Sequence, residues 1–104
     1  MANIGIVTKQ ANGSYEGRLT TLTIKAPIRI VPITQTNDKA PTHRIVSDGA
    51  EVGAGWTKTS QQTGEEYLSL TFDAPELPTV IYANLGVAAG QDDEDVFAII
   101  WNRR

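Results

Sequence analysis

The chain of 104 residues carries 12 acidic and 9 basic side chains, a formal net charge of −3, which is not the field expected of a nucleic-acid binder and is too weak for a DNA mimic. It has no cysteine, so disulfides, thiolate metal sites and cysteine nucleophiles are excluded. The length is that of one domain, residues 1–104. With no secretory h-region and no apolar run near the roughly 18 residues of a membrane span, a cytoplasmic protein outside the membrane is expected.

In chain order, "IGIVTK" (residues 4–9) is short, rich in β-branched residues and closed by "ANGS", an Asn-Gly turn signal. "YEGRLTTLTI" follows as a strand with Leu22 and Ile24 on one parity. In "PIRIVPI", Ile28 and Ile30 alternate with Arg29 and Val31, while Pro27 and Pro32 cannot donate to a ladder and place the segment at a sheet edge or a bend. "TNDKAP" reads as a loop and "HRIVS" as a short strand ended by "DG". A hairpin "GWTKTSQQTGEEYLSLTF", the connection "DAPELP", a strand "TVIYANLG", an acidic loop and a strand "VFAIIW" complete the chain. Nowhere do apolar residues recur at helical spacing over a helix length free of Gly and Pro. The expectation is an all-β fold, a small antiparallel β-sandwich or barrel of about eight short strands.

The hairpin has two registers. A four-residue loop over 61–64 pairs Lys58 with Tyr67 and gathers Trp56, Lys58, Tyr67 and Ser69 on one face, against Leu68, Leu70 and Phe72 on the other. A three-residue loop over 62–64 sets Trp56 opposite Leu70. Both accommodate Gly64 in a left-handed conformation. The preceding "EVGAGW" aligns Val52 and Ala54 with Trp56, since side chains two apart share a strand face. That alignment, and the tendency of large aromatics to be buried, assign Trp56 to the core. Gly53 and Gly55 leave the opposite strand face bare, which suits a bulge, a bend or close backbone approach.

Catalytic signals are sparse. His43 is the sole histidine. A Ser/His/Asp set can be drawn with Ser47 and Asp48, but no nucleophile-elbow sequence accompanies it. "QDDEDV" collects Asp92, Asp93, Glu94 and Asp95 without the alternation and central Gly of a Ca²⁺ loop, so a solvated loop is expected there. Phosphate-cradling motifs are missing. No enzyme activity, metal or cofactor is expected. Arg44, Lys58, Tyr67, Tyr82 and Asn84 form the candidate binding face, with Trp101 a further aromatic available for stacking on single-stranded nucleic acid.

"GAEVGAGWTKTS", "GEEYLSLTFDAP", "PTVIYANL", the terminal "WNRR" and the initial "NIG" together resemble a bacterial family known as domain of unknown function number seven-three-six. The resemblance spans nearly the whole chain. Thr42-His43 depart from the family pattern, which has an acidic and an aromatic residue there. Such small proteins are often carried on plasmids and integrative elements, so the resemblance implies an accessory role in mobile genetic elements: DNA transfer, replication control or counter-defence. It supplies no catalytic residues.

The first functional expectation is therefore a binding module that acts through a protein partner. The alternative is a single-stranded nucleic-acid binder using a sheet face, and a small hydrolase centred on His43 ranks below both. The last strand adds an expectation about assembly. Val96, Ala98 and Ile100 share one parity and Phe97, Ile99 and Trp101 the other, so both faces are apolar and neither suits water. Val96, Ala98 and Ile100 are the candidate self-association residues of a homodimer. A closed barrel whose smaller outward residues are covered by loops such as "DAPELP" is the other reading.

Overall fold

The computed structural model describes residues 2–87 and 95–102. Eight strands follow one another: β1 (Ala2–Lys9), β2 (Tyr15–Thr20), β3 (Lys25–Pro32), β4 (His43–Ser47), β5 (Ala50–Thr59), β6 (Glu66–Phe72), β7 (Ile81–Val87) and β8 (Val96–Trp101). Each pairs antiparallel with the next, and β8 returns to pair with β1, so the sheet closes into an up-and-down barrel. The choice between sandwich and barrel is thus settled by one long-range ladder. Closure satisfies both strand edges. Among the described residues no helix is long and apolar enough to cross a membrane.

Local chemistry explains the tight connections. Asp48 and Gly49 have φ of 50° and 85°, the paired positive values of the two-residue hairpin turn whose twist matches its strands. Ser60 N–H donates to the Glu65 carbonyl at 2.8 Å, and Gly64 N–H to the Ser60 carbonyl at 2.9 Å, which closes the loop 61–64. Strand β2 stops at Thr20 instead of running on to Ile24. Thr21 and Ile24 form a turn, with Thr21 N–H on the Ile24 carbonyl at 2.8 Å and Ile24 N–H on Thr21 Oγ1 at 3.1 Å. Leu22 is left 100% exposed at its tip. Pro32 ends the β3–β4 ladder, which runs only from Arg29 to Pro32, and Pro27 lies beyond it while opposing Arg18 of β2, so a paired strand tolerates both without lying at an edge.

Eight strands give an interior just wide enough for side chains to fill. Val7, Ile30, Ile45, Leu70, Ala83 and Ile99 are fully buried there, and Phe72 nearly so. Gly53 and Gly55 face this interior opposite Phe72 and Leu70. A Cβ at Gly55 would meet Leu70 Cδ2 at 3.1 Å, and one at Gly53 would collide with the Thr71 backbone carbonyl, so the first leaves room for a side chain and the second for close backbone approach. At one end Tyr15 meets Phe97 edge-on, ring centroids 5.5 Å apart. At the other, Ile24, Val52, Leu77 and Ile81 pack onto the core.

The register overturns the assignment of Trp56 to the core. Trp56 opposes Ser69 and Lys58 opposes Tyr67, the pairing of the four-residue loop, and Trp56 is half-buried on the outer surface. The cause is a bulge. The β4–β5 pairing steps from Ile45↔Gly53 to Val46↔Glu51, leaving Val52 as the extra residue, and Val52 packs against the core. Its alignment with Trp56 in sequence therefore does not survive in space.

Candidate functional site

Directly opposed residues of an antiparallel sheet share a face, with Cβ atoms about 4.5–5.5 Å apart. Three rows follow on the outer surface of β4–β7. Arg44 opposes Ala54, which opposes Thr71, which opposes Tyr82. Trp56 opposes Ser69, then Asn84, then Ile100 on β8. Lys58 opposes Tyr67. All five residues of the candidate face are brought together: Arg44 and Lys58 exposed, Tyr67, Tyr82 and Asn84 half-buried. Trp56, which the sequence reading placed inside, sits among them. Trp101 does not join them, because it opposes the fully buried Ala83 and takes the inward parity.

Strand spacing fixes the scale. Three inter-strand steps of about 4.8 Å and two row steps of about 6.8 Å give a patch roughly 14 Å on a side. A shallow groove lined by Lys58, Tyr67, Asn84 and Ile100 and by the turn after β5 crosses it. Trp56 also fixes the neighbouring loop, donating its indole N–H to the Lys39 carbonyl at 3.0 Å. This brings residues of the loop 33–42, among them the exposed Lys39, to the margin of the patch. The four-residue closure of the "QQTG" turn sets the parity of every residue in the hairpin, and the turn residues alone suit a three-residue closure equally well.

The hydrolase constellation is not assembled. His43 begins β4 and Ser47 ends it, so four residues of extended chain put them about 13 Å apart. His43 faces the barrel end, its ring centroid 6.4 Å from that of Tyr15. Its Nδ1 shares a hydrogen bond of 2.9 Å with Thr42 Oγ1, which accepts the Thr57 N–H at 3.1 Å. The histidine thus belongs to a polar tie between β4 and β5. Among the described residues no group of three His, Asp or Glu side chains is placed to hold a metal ion. Asp92, Asp93 and Glu94 of the acidic loop lie outside the described residues.

Burial lowers the His43 pKa below its ordinary value of 6.5, because desolvation penalises the imidazolium. The unfolded chain then binds the proton more readily than the folded one. The stability linked to His43 is complete above pH 6.5 and is lost as the pH falls through 6.5 toward the folded-state value. Thermal midpoints of the wild type and His43→Gln, compared from pH 8 down to pH 5, should show the wild-type advantage shrinking with acidity. A difference independent of pH contradicts this account.

The candidate self-association row is less open than its sequence suggests. Val96 and Ile100 are half-buried, and Ala98 is only 4% exposed. Ala98 lies between Gly86 and Ile6. The Ile100 side chain leans over Gly86 so closely that a Cβ there would meet its Cδ1 at 2.7 Å. The cover expected from the "DAPELP" loop is supplied instead by neighbouring strand residues. That loop packs at the barrel end through Leu77, over a cavity that sequence reasoning missed.

A family model described as protein of unknown function (DUF736) matches residues 3–104. No curated protein and no solved structure matches the chain.

Proposed function

The chain belongs to the DUF736 family, and on that premise we propose that it is a non-enzymatic binding module that holds a protein partner against the outer face of β4–β7. The observation supporting this reading is the convergence of Arg44, Trp56, Lys58, Tyr67, Tyr82 and Asn84 on three adjacent rows. Tyr, Trp and Arg are the side chains enriched at the energetic centres of interfaces. A patch of roughly 14 Å by 14 Å covers about 200 Å², against about 800 Å² per partner in a standard interface. It serves as the anchor of a larger contact whose rim includes the loop 33–42 and the turn 60–65. The covered state of Ala98 favours this face over β8 as the main docking surface. The accessory role in mobile elements implied by the family resemblance fits a module whose effect is exerted through another protein.

Single-stranded nucleic acid is the second reading, supported by the adjacency of Lys58 to Tyr67 and of Arg44 to the same face. Two phosphate contacts give a log–log salt slope of only about −1.4, and the net charge of −3 opposes them. Affinity capture from the native host with the wild type and with Lys58→Glu/Tyr67→Ala separates these readings. We expect the captured protein to bind the purified wild type at both low and high salt, and the double variant at least about thirtyfold more weakly, the scale of a lost anchor. Equal binding by the folded double variant removes the face from the proposal. Binding of a labelled oligonucleotide at low salt that is lost at high salt transfers the face to nucleic acid.

A further inference from the structure

The end of the barrel formed by the turns 21–24 and 48–49 and by residues 73–80 holds a cavity of about 440 Å³. That volume falls within the range of roughly 300–1,000 Å³ typical of small-molecule sites. Its walls are the inward side chains of Leu19, Ile28, Val52 and Phe72, and Leu77 forms part of its roof. Small barrels of this kind fill their middle with side chains and retain room for a ligand at a mouth.

The roof is anchored at its start. Asp73 N–H donates to the Val52 carbonyl at 2.7 Å, and Leu77 N–H to the Ala74 carbonyl at 2.9 Å. The bulge that turns Val52 inward therefore both lines the cavity and holds the first residue of its cover. Beside the opening, Thr23 and Ile24 line the wall and the bonded turn presents the fully exposed Leu22. The apolar surface continues outward past the rim.

Among the described residues, the charged side chains that line the cavity have one sign. Glu51 and Glu76 line the cavity, and no lysine or arginine does among the described residues. Asp48 and Asp73, in the adjoining connections, are exposed. Lys25 begins β3 here but alternates with the inward Ala26 and faces outward. An apolar body is accommodated by the walls, and a positive group is favoured at the rim, where an anion is repelled by the carboxylates.

We propose that this cavity binds a small amphipathic organic cation, a protonated alkyl or arylalkyl amine whose apolar part enters the barrel mouth and whose ammonium lies between Glu51 and Glu76. This site is separate from the outer face of β4–β7 and does not depend on the partner-binding reading. The test uses the neutral apolar fluorophore N-phenyl-1-naphthylamine, displaced by decylammonium or decanoate below their micellar concentrations. Saturable uptake of the probe is expected, with decylammonium displacing it at about tenfold lower concentration than decanoate. Glu51→Gln/Glu76→Gln should narrow that ratio to about twofold while probe uptake persists, since exposed charge pairs each contribute modestly. Ala50 is exposed and lines the opening, so Ala50→Trp obstructs it from the solvent side and should weaken uptake at least about fivefold. Absence of saturable uptake, equal displacement by decanoate and decylammonium, or full uptake by Ala50→Trp overturns the proposal.

Discussion

Phe72→Ala should destabilise the protein by about 3–5 kcal/mol, the range for truncating a buried aromatic ring, whereas Trp56→Ala should cost only about 1–2 kcal/mol. The contrast follows from the hairpin register. Phe72 is 2% exposed and opposes the interior Gly53 and Ile81, so its loss leaves a void that the surrounding ladders cannot close. Trp56 is half-buried on the outside, and its truncation removes partial burial and one hydrogen bond to Lys39. For a domain whose total stability is about 5–15 kcal/mol, the first change approaches global unfolding and the second does not. Urea unfolding of both variants measures the difference. A larger loss for Trp56→Ala than for Phe72→Ala would mean that the three-residue loop forms and Trp56 points inward.

The same hairpin shows how much of the fold is legible in the sequence. The all-β class and the bounds of β4 and β8 follow from β-branched and aromatic runs between turn residues, because these signals are local. Trp56 illustrates where locality ends. Parity in a strand holds only while the ladder is regular, and the bulge at Val52 depends on a partner strand, β4, that the residues around Trp56 do not encode. Barrel closure is likewise a property of β1 and β8 together, separated by almost the whole chain. The apolar outward face of β8 was read as needing a cover. Ile100 instead lays its side chain over Gly86 of β7, an arrangement that requires a glycine on the neighbouring strand.

The candidate face was legible to a different degree. Its five residues were named from composition, and the sheet geometry brings them together, because the pairing registers set them on the same outer face of strands that prove to be adjacent. Trp101 failed the same test by one residue of parity. The mouth cavity had weaker signals, namely Leu77 in a loop otherwise made of turn residues and Ile24 beyond the end of β2. An isolated apolar residue in a loop is common on protein surfaces, so neither could be distinguished from ordinary exposure without the barrel end they pack against.

The second large effect is expected at Gly17. Here a single added methyl group meets backbone: a Cβ would collide with the Ile6 carbonyl oxygen and lie 2.6 Å from the Val7 Cα. No rotamer change relieves such contacts, since both atoms belong to the main chain of β1, so the β1–β2 ladder must shift. Strand β1 is also the partner of β8, and displacing it strains the ladder that closes the barrel. Gly17→Ala should therefore cost about 3 kcal/mol or more, at or above the upper end for overpacked sites. Gly64→Ala is the control. Its φ of +75° is unfavourable for alanine but nothing lies within 4 Å of the new atom, so it should lose only the roughly 1–2 kcal/mol of a left-handed residue with a side chain. Chemical denaturation ranks the two directly. If Gly17→Ala is no more harmful than Gly64→Ala, the β1–β2 ladder accommodates the methyl group without the shift argued here.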